Sequence, residues 1–187
     1  EQMVEEYCEL IELQVAAVDG FIAETIPSIA EAKGVLTAAA QANTRIVLGL
    51  TVSDDNGLLL RSGESLSDTL EAIAPWDPLA VVINCSKPEA VSQALPVLAE
   101  SGWPFGAYAN GFTAIDALEP GGVADVLEAR NDLNPDQYAL FVAQWLELGA
   151  TIIGGCCEVG PAHISALHRL INERGLTQAG WQALTSE

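Results

Sequence analysis

The sequence predicts an α/β fold, and within that class a partial (β/α)8 (TIM) barrel comprising strands 4 to 8 with their flanking helices. Three observations lead there. Five short apolar runs, each closed by a polar residue, alternate with segments of helical periodicity, the arrangement of a parallel sheet whose strands are covered by helices. The chain opens on a helical pattern with no strand before it. A complete barrel needs eight units in roughly 250 residues or more, and 187 residues hold five. The count alone also allows a complete flavodoxin-like domain, so strand order decides between them. Residues 1–187 are read as a single domain.

The elements follow in order. Val4, Cys8, Ile11, Val15 and Val18 recur at the spacing of one helix face, with Gly20 as the stop. The apolar runs GFIAET (20–25), RIVLGLT (45–51), AVVINC (80–85), FGAYAN (105–110) and TIIGGCC (151–157) read as buried strands. Helices are expected over about 28–42, 66–74, 88–101, 136–148 and 162–174. Asn134-Pro135-Asp136-Gln137 reads as an N-cap, a proline at the first helical position and a reciprocal cap residue. Gly149 and Gly175 stand where helix ends favour a left-handed residue. Pro96 should bend or shorten its helix.

Composition narrows the function classes. Half of the residues are hydrophobic, enough for a substantial core. Twenty-six acidic against 7 basic residues give a net charge of -19, which repels nucleic acid and anionic membrane surfaces. No apolar run reaches the roughly 18 residues needed to span a bilayer. Four cysteines are too few for a disulfide framework and two of them are adjacent, which suits a reducing, cytoplasmic setting and metal or catalytic use.

In a barrel, chemistry gathers at the carboxyl ends of the strands. Here those ends are Glu24-Thr25, Thr51, Asn84-Cys85, Asn110 and Cys156-Cys157. A strand would send Cys156 and Cys157 to opposite faces, so Gly154-Gly155 must end it if both are to face one site. Cys85 can then join them. Three protein ligands with one open position form a catalytic zinc site, and no paired C-x(2–4)-C knuckle of a structural site is present. The open position accepts an exogenous thiol, held as thiolate although a free thiol has a pKa near ~8.5. Three thiolates leave such a Zn2+ a weak Lewis acid, suited to presenting a sulfur nucleophile. The competing reading is ordinary buried cysteines.

The segment GGCCEVGPAHI, with INCSKPE (83–89), AETIPSIAEA (23–32) and YAN (108–110), resembles the zinc-dependent homocysteine S-methyltransferase family from about residue 1 to 174. The resemblance implies a (β/α)8 barrel whose zinc is held by Cys85, Cys156 and Cys157. Glu24 would meet the homocysteine amino group, and the methyl group would come from a donor, most closely S-methylmethionine or S-adenosylmethionine. Asn84 and Asn110 are candidates to hydrogen-bond substrate or orient neighbouring loops. Where many members carry Gly or Arg and then threonines after the doublet, this chain has Glu158-Val159-Gly160. The family's first three strands have no counterpart, so the chain is expected to be part of a longer enzyme. The alternative is a non-catalytic zinc-binding or interaction fragment that needs a partner segment.

The remaining candidates read as structural. His163 and His168 lie on the last helix, Cys8 on the apolar face of the first, and Asp54-Asp55-Asn56-Gly57 forms a turn. The long connection 111–134, with Pro120-Gly121-Gly122, is expected to cover the active site or to build a homo-oligomer contact.

Overall fold

A computed structural model describes residues 1–115 and 127–185. Residues 116–126 lie outside the described residues, and with them most of the connection expected to cover the site or join two copies. The order is α1 (Gln2–Gln14), β1 (Phe21–Ile26), α2 (Ile29–Gln41), β2 (Ile46–Leu50), α3 (Leu66–Ile73), β3 (Ala80–Asn84), α4 (Pro88–Ala99), β4 (Phe105–Tyr108), α5 (Pro135–Glu147), β5 (Ile152–Ile153), α6 (Pro161–Glu173) and α7 (Gln182–Thr185).

The five strands form one sheet in the order β1-β2-β3-β4-β5, every pair parallel. A flavodoxin-like sheet reverses direction at a switch point, and this one does not. Among the described residues both edges of the sheet are open, since β1 pairs only with β2 and β5 only with β4.

Strand alternation sorts the residues onto two faces. Ile46, Leu48 and Leu50 of β2 and Val81 and Ile83 of β3 enter one large core to which α1 to α6 all contribute, including Ala38, Leu95, Trp145 and Leu167. The intervening Val47, Ala80 and Val82 face the other way. There, with Leu79, they meet Tyr108, Ile152 and the carboxyl-terminal Trp181 and Leu184. The helices thus cover one face, and the segment bearing α7 lies against the other.

The Asn134 cap and the two glycine helix ends form as the sequence suggests. Asn134 Oδ1 accepts from the Asp136 and Gln137 amides at 3.1 and 3.0 Å, and Ser28 Oγ accepts from Glu31 N at 3.2 Å. Gly149 and Gly175 take left-handed conformations, with φ of 98° and 65°. Helix α4 runs on through Pro96. Two elements are shorter than expected. Helix α1 stops at Gln14, leaving Val15 and Val18 exposed, because it rests on α2 only as far as Ile11 and nothing beyond offers those side chains a surface. Strand β5 keeps two residues because Gly154-Gly155 end the regular ladder. No described helix is long and apolar enough to cross a membrane.

Candidate metal centre

The candidate side chains lie at or beyond the carboxyl ends of the strands, and three sharp bends accompany them. Thr25, Cys85 and Glu158 have φ of 61°, 49° and 63°, left-handed values that cost side-chain-bearing residues about 1–3 kcal/mol each. Each directly follows a candidate site residue: Glu24, Asn84 and Cys157.

Hydrogen bonds hold the bends. The buried Asn84 accepts from Thr25 N at 2.8 Å and donates through Nδ2 to Thr25 Oγ1 at 2.9 Å, so its amide clamps the turn after Glu24. At Cys85 the carbonyl accepts from Arg61 Nη2 at 2.8 Å and from Thr51 Oγ1 at 3.3 Å. Arg61 Nε donates to Thr51 Oγ1 at 2.9 Å, and the buried Asp54 carboxylate lies 3.5 Å from the guanidinium. Asp54 also accepts from the Lys87 and Ile115 amides, both at 3.1 Å, so its stretch is a turn with a buried anchor.

The cysteine doublet hangs from β4 by irregular pairing. Gly154 N and Cys156 N donate to Ala107 O and Ala109 O at 3.2 and 3.0 Å, and Gly111 N donates to Cys157 O at 2.8 Å. Gly155 permits the tight return, since a Cβ there would fall 2.1 Å from Val159 Cγ1. The buried Tyr138 pins the same region, its hydroxyl accepting from Ala109 N at 3.0 Å and donating to Gly154 O at 2.8 Å.

These supports gather the Sγ atoms of Cys85, Cys156 and Cys157 within 4.8 Å of one another, with Cys156 and Cys157 at 3.8 Å. All are free thiols, and Cys157 is exposed. Zinc–sulfur bonds of about 2.3 Å in a tetrahedron put two sulfurs about 3.8 Å apart, so the donor set fits a zinc ion with one side open. The electrostatics fit as well. Hydrogen bonding from Cys156 holds the Cys85 thiol below its usual pKa despite burial. Cys156 is pushed far up by its bond to Cys85 and by burial, and Cys157 is raised by burial and by Cys156. Burial and their mutual proximity oppose a second and third thiolate in the cluster, and a bound cation would relieve that opposition.

The other candidates are placed differently. Glu24 is exposed on the sheet face away from the helices. Asn110 is buried, its Oδ1 accepting from Phe112 N at 3.1 Å. Its Nδ2 makes no hydrogen bond but lies close enough to Cys85 to favour the thiolate. His163 accepts from Gly160 N through Nδ1 at 3.2 Å and meets Leu133 O through Nε2 at 3.0 Å, so both ring nitrogens are engaged by the backbone. Cys8 sits between α1 and α2, 3.2 Å from Gln41 Oε1. Sequence reasoning missed Arg61, Ser86 and Tyr138 as supports. Ser86 Oγ accepts from Val52 N at 3.0 Å, but nothing in the local pattern distinguishes such residues from ordinary loop and helix polarity.

Comparison with known proteins agrees with this geometry. The family profile described as Homocysteine S-methyltransferase matches residues 1–171. Homocysteine S-methyltransferase 2 of Arabidopsis thaliana is 29% identical over 175 residues, covering 88% of this chain and 50% of the relative. Betaine-homocysteine S-methyltransferase of Drosophila melanogaster is 26% identical over 179 residues, 87% of this chain and 50% of the relative. Among solved structures, the apo form of the Escherichia coli homocysteine methyltransferase MmuM superposes with a TM-score of 0.66 at 25% identity, over 89% of this chain and 57% of that one. The same enzyme has been solved in a metallated form. The chain spans about half the length of the curated relatives it matches. With a profile match over 171 of its 187 residues and a five-stranded parallel sheet that superposes on MmuM, the chain belongs to the homocysteine S-methyltransferase family.

Proposed function

We propose that this chain is the carboxyl-terminal part, strands 4 to 8, of a (β/α)8 barrel enzyme that moves a methyl group from S-methylmethionine or S-adenosylmethionine to homocysteine, forming methionine. Cys85, Cys156 and Cys157 would hold Zn2+. The observation that carries the reading is the cluster of three thiols within 4.8 Å at one rim of a sequential parallel sheet, in a chain of this family.

When bound, zinc supplies one thing: it keeps the sulfur of homocysteine ionised at neutral pH. That sulfur attacks the methyl carbon of the sulfonium donor. A carbon–sulfur bond forms to homocysteine, the donor's bond to methyl breaks with its electron pair returning to the donor sulfur, and the thiol proton passes to solvent. The chain's own residues bind and orient. Glu24 takes the substrate ammonium group. Asn84 fixes the turn that carries Glu24, and Asn110 presents an amide to Cys85.

Two tests bear on this. In the full-length protein, zinc should be present at about one ion per chain, and X-ray absorption should show a fourth sulfur at roughly 2.3 Å when homocysteine is added. Assays with S-methylmethionine, S-adenosylmethionine, betaine and methyltetrahydrofolate should give turnover with a sulfonium donor, and exclusive use of betaine would overturn the donor assignment. The open edges of β1 and β5 favour one qualification: the described sheet alone is a zinc-binding fragment, active only once partner strands complete it.

A further inference from the structure

Glu24, Gly49, Asn84 and Tyr108 come from four successive strands, and strand alternation puts all four on the face turned away from the helices. Tyr108 is the cross-strand partner of Asn84, and its ring joins Val47, Ala80 and Val82 on that face. Its hydroxyl oxygen is buried and makes no hydrogen bond, a condition that calls for an explanation in a folded protein. Gly49 makes the space for it. A Cβ at position 49 would stand 3.1 Å from Tyr108 Oη, 3.0 Å from Asn84 Oδ1 and 3.0 Å from Ala23 O. The hydroxyl bonds to neither of these oxygens, and the Asn84 amide is committed to Thr25 through both of its polar atoms. Burial, and after it the negative charge of Glu24 on this same face, keep the phenol protonated and so able to donate.

We propose that Tyr108 is the positioning residue for Glu24, its hydroxyl donating to the Glu24 carboxylate and holding it towards the ammonium group of homocysteine. This rests on the reading that Glu24 receives that group. A phenol suits the task because it is neutral: it orients a carboxylate without cancelling the charge that attracts the ammonium. A lysine in its place would compete with the substrate.

The variant Tyr108→Phe keeps the ring and removes the donor. In full-length, zinc-loaded protein it should raise KM for homocysteine, and weaken its binding by calorimetry, about tenfold, the worth of one hydrogen bond. The value of kcat should change far less, and zinc content not at all. Two further readouts separate positioning from packing. Binding of 4-mercaptobutanoate, which has the thiol and carboxylate but no amine, should be the same in wild type and Tyr108→Phe. In a Glu24→Gln background, Tyr108→Phe should cost little more, because the two residues act as one unit. Equal homocysteine binding by wild type and Tyr108→Phe, an equal loss with 4-mercaptobutanoate, or additive losses in the double variant would each overturn the assignment of Tyr108 alone. A wild-type protein that binds no homocysteine would overturn the methyltransferase reading and this inference with it.

Discussion

A thiol's role is decided by what surrounds it, and this chain holds its own control. Cys157 is exposed and lies 3.8 Å from Cys156, whereas Cys8 packs between two helices. Cys157→Ser should reduce zinc retention by more than about a hundredfold, beyond the loss typical of an outer-sphere partner, and should abolish methyl transfer. A neutral hydroxyl does not replace a thiolate on a soft site. Cys8→Ser should leave zinc and turnover intact and shift stability by within about 1 kcal/mol. Metal analysis and a thermal melt on both variants check the contrast, and full zinc with full turnover in the Cys157 variant would refute the three-thiol site. The gathering of Cys85, Cys156 and Cys157 was legible in the sequence because all three stand at strand ends, two of them as a doublet behind Gly154-Gly155. The work of Asn84 was half legible: its place at a strand end was plain, but its closure on Thr25 joins residues 59 positions apart and depends on the chain between them being folded. Arg61 was not legible, since an arginine in a polar loop shows its partners, Thr51 and the Cys85 carbonyl, only once β2 and β3 lie side by side.

At the level of elements, apolar runs revealed the five described strands and helical periodicity the six longer helices, while their ends depended on contacts that no local pattern carries. Helix α1 looked longer than it is because Val15 and Val18 continue the apolar spacing without a surface to meet. The short α7 was missed because one turn of helix has no periodicity to read. The junction of β4 with the cysteine loop shows the same dependence. Tyr138 belongs to α5, yet it fastens Ala109 to Gly154 and so couples a helix to the placement of Cys156. Tyr138→Phe leaves the buried Ala109 amide and the partly buried Gly154 carbonyl without that partner and should cost about 1–3 kcal/mol. In a chain of this size that lowers Tm by roughly 2–12 °C. Zinc retention should fall as well, though less than on losing a ligand. A melt recorded with and without chelator measures both, and an unchanged Tm with unchanged zinc would remove α5 from the support of the site.

For the molecule as a whole, sequential strand order with two open edges is the outcome the sequence anticipated, and the unlooked-for part is what lies against the sheet's second face. Barrel interiors are filled by layers of side chains from all the strands, and here Trp181 and Leu184 stand over Val47, Ala80 and Val82. A Cβ on Gly20 would strike the Trp181 indole at 1.9 Å, so the ring is seated closely. On the proposed reading, strands that complete the barrel would need that space, and the indole would have to give it up. Trp181 would then be an optical reporter of closure. Joining the amino-terminal strands to this chain should shift its emission to longer wavelength and expose it to acrylamide quenching, while Trp145, buried and bonded to Ser92 at 2.9 Å, stays dark to the quencher. Subtracting the spectrum of Trp181→Phe isolates the signal. A Trp181 contribution that does not change when amino-terminal strands are joined would mean that the tail and such strands never compete, and that the carboxyl-terminal segment is a permanent part of the interior.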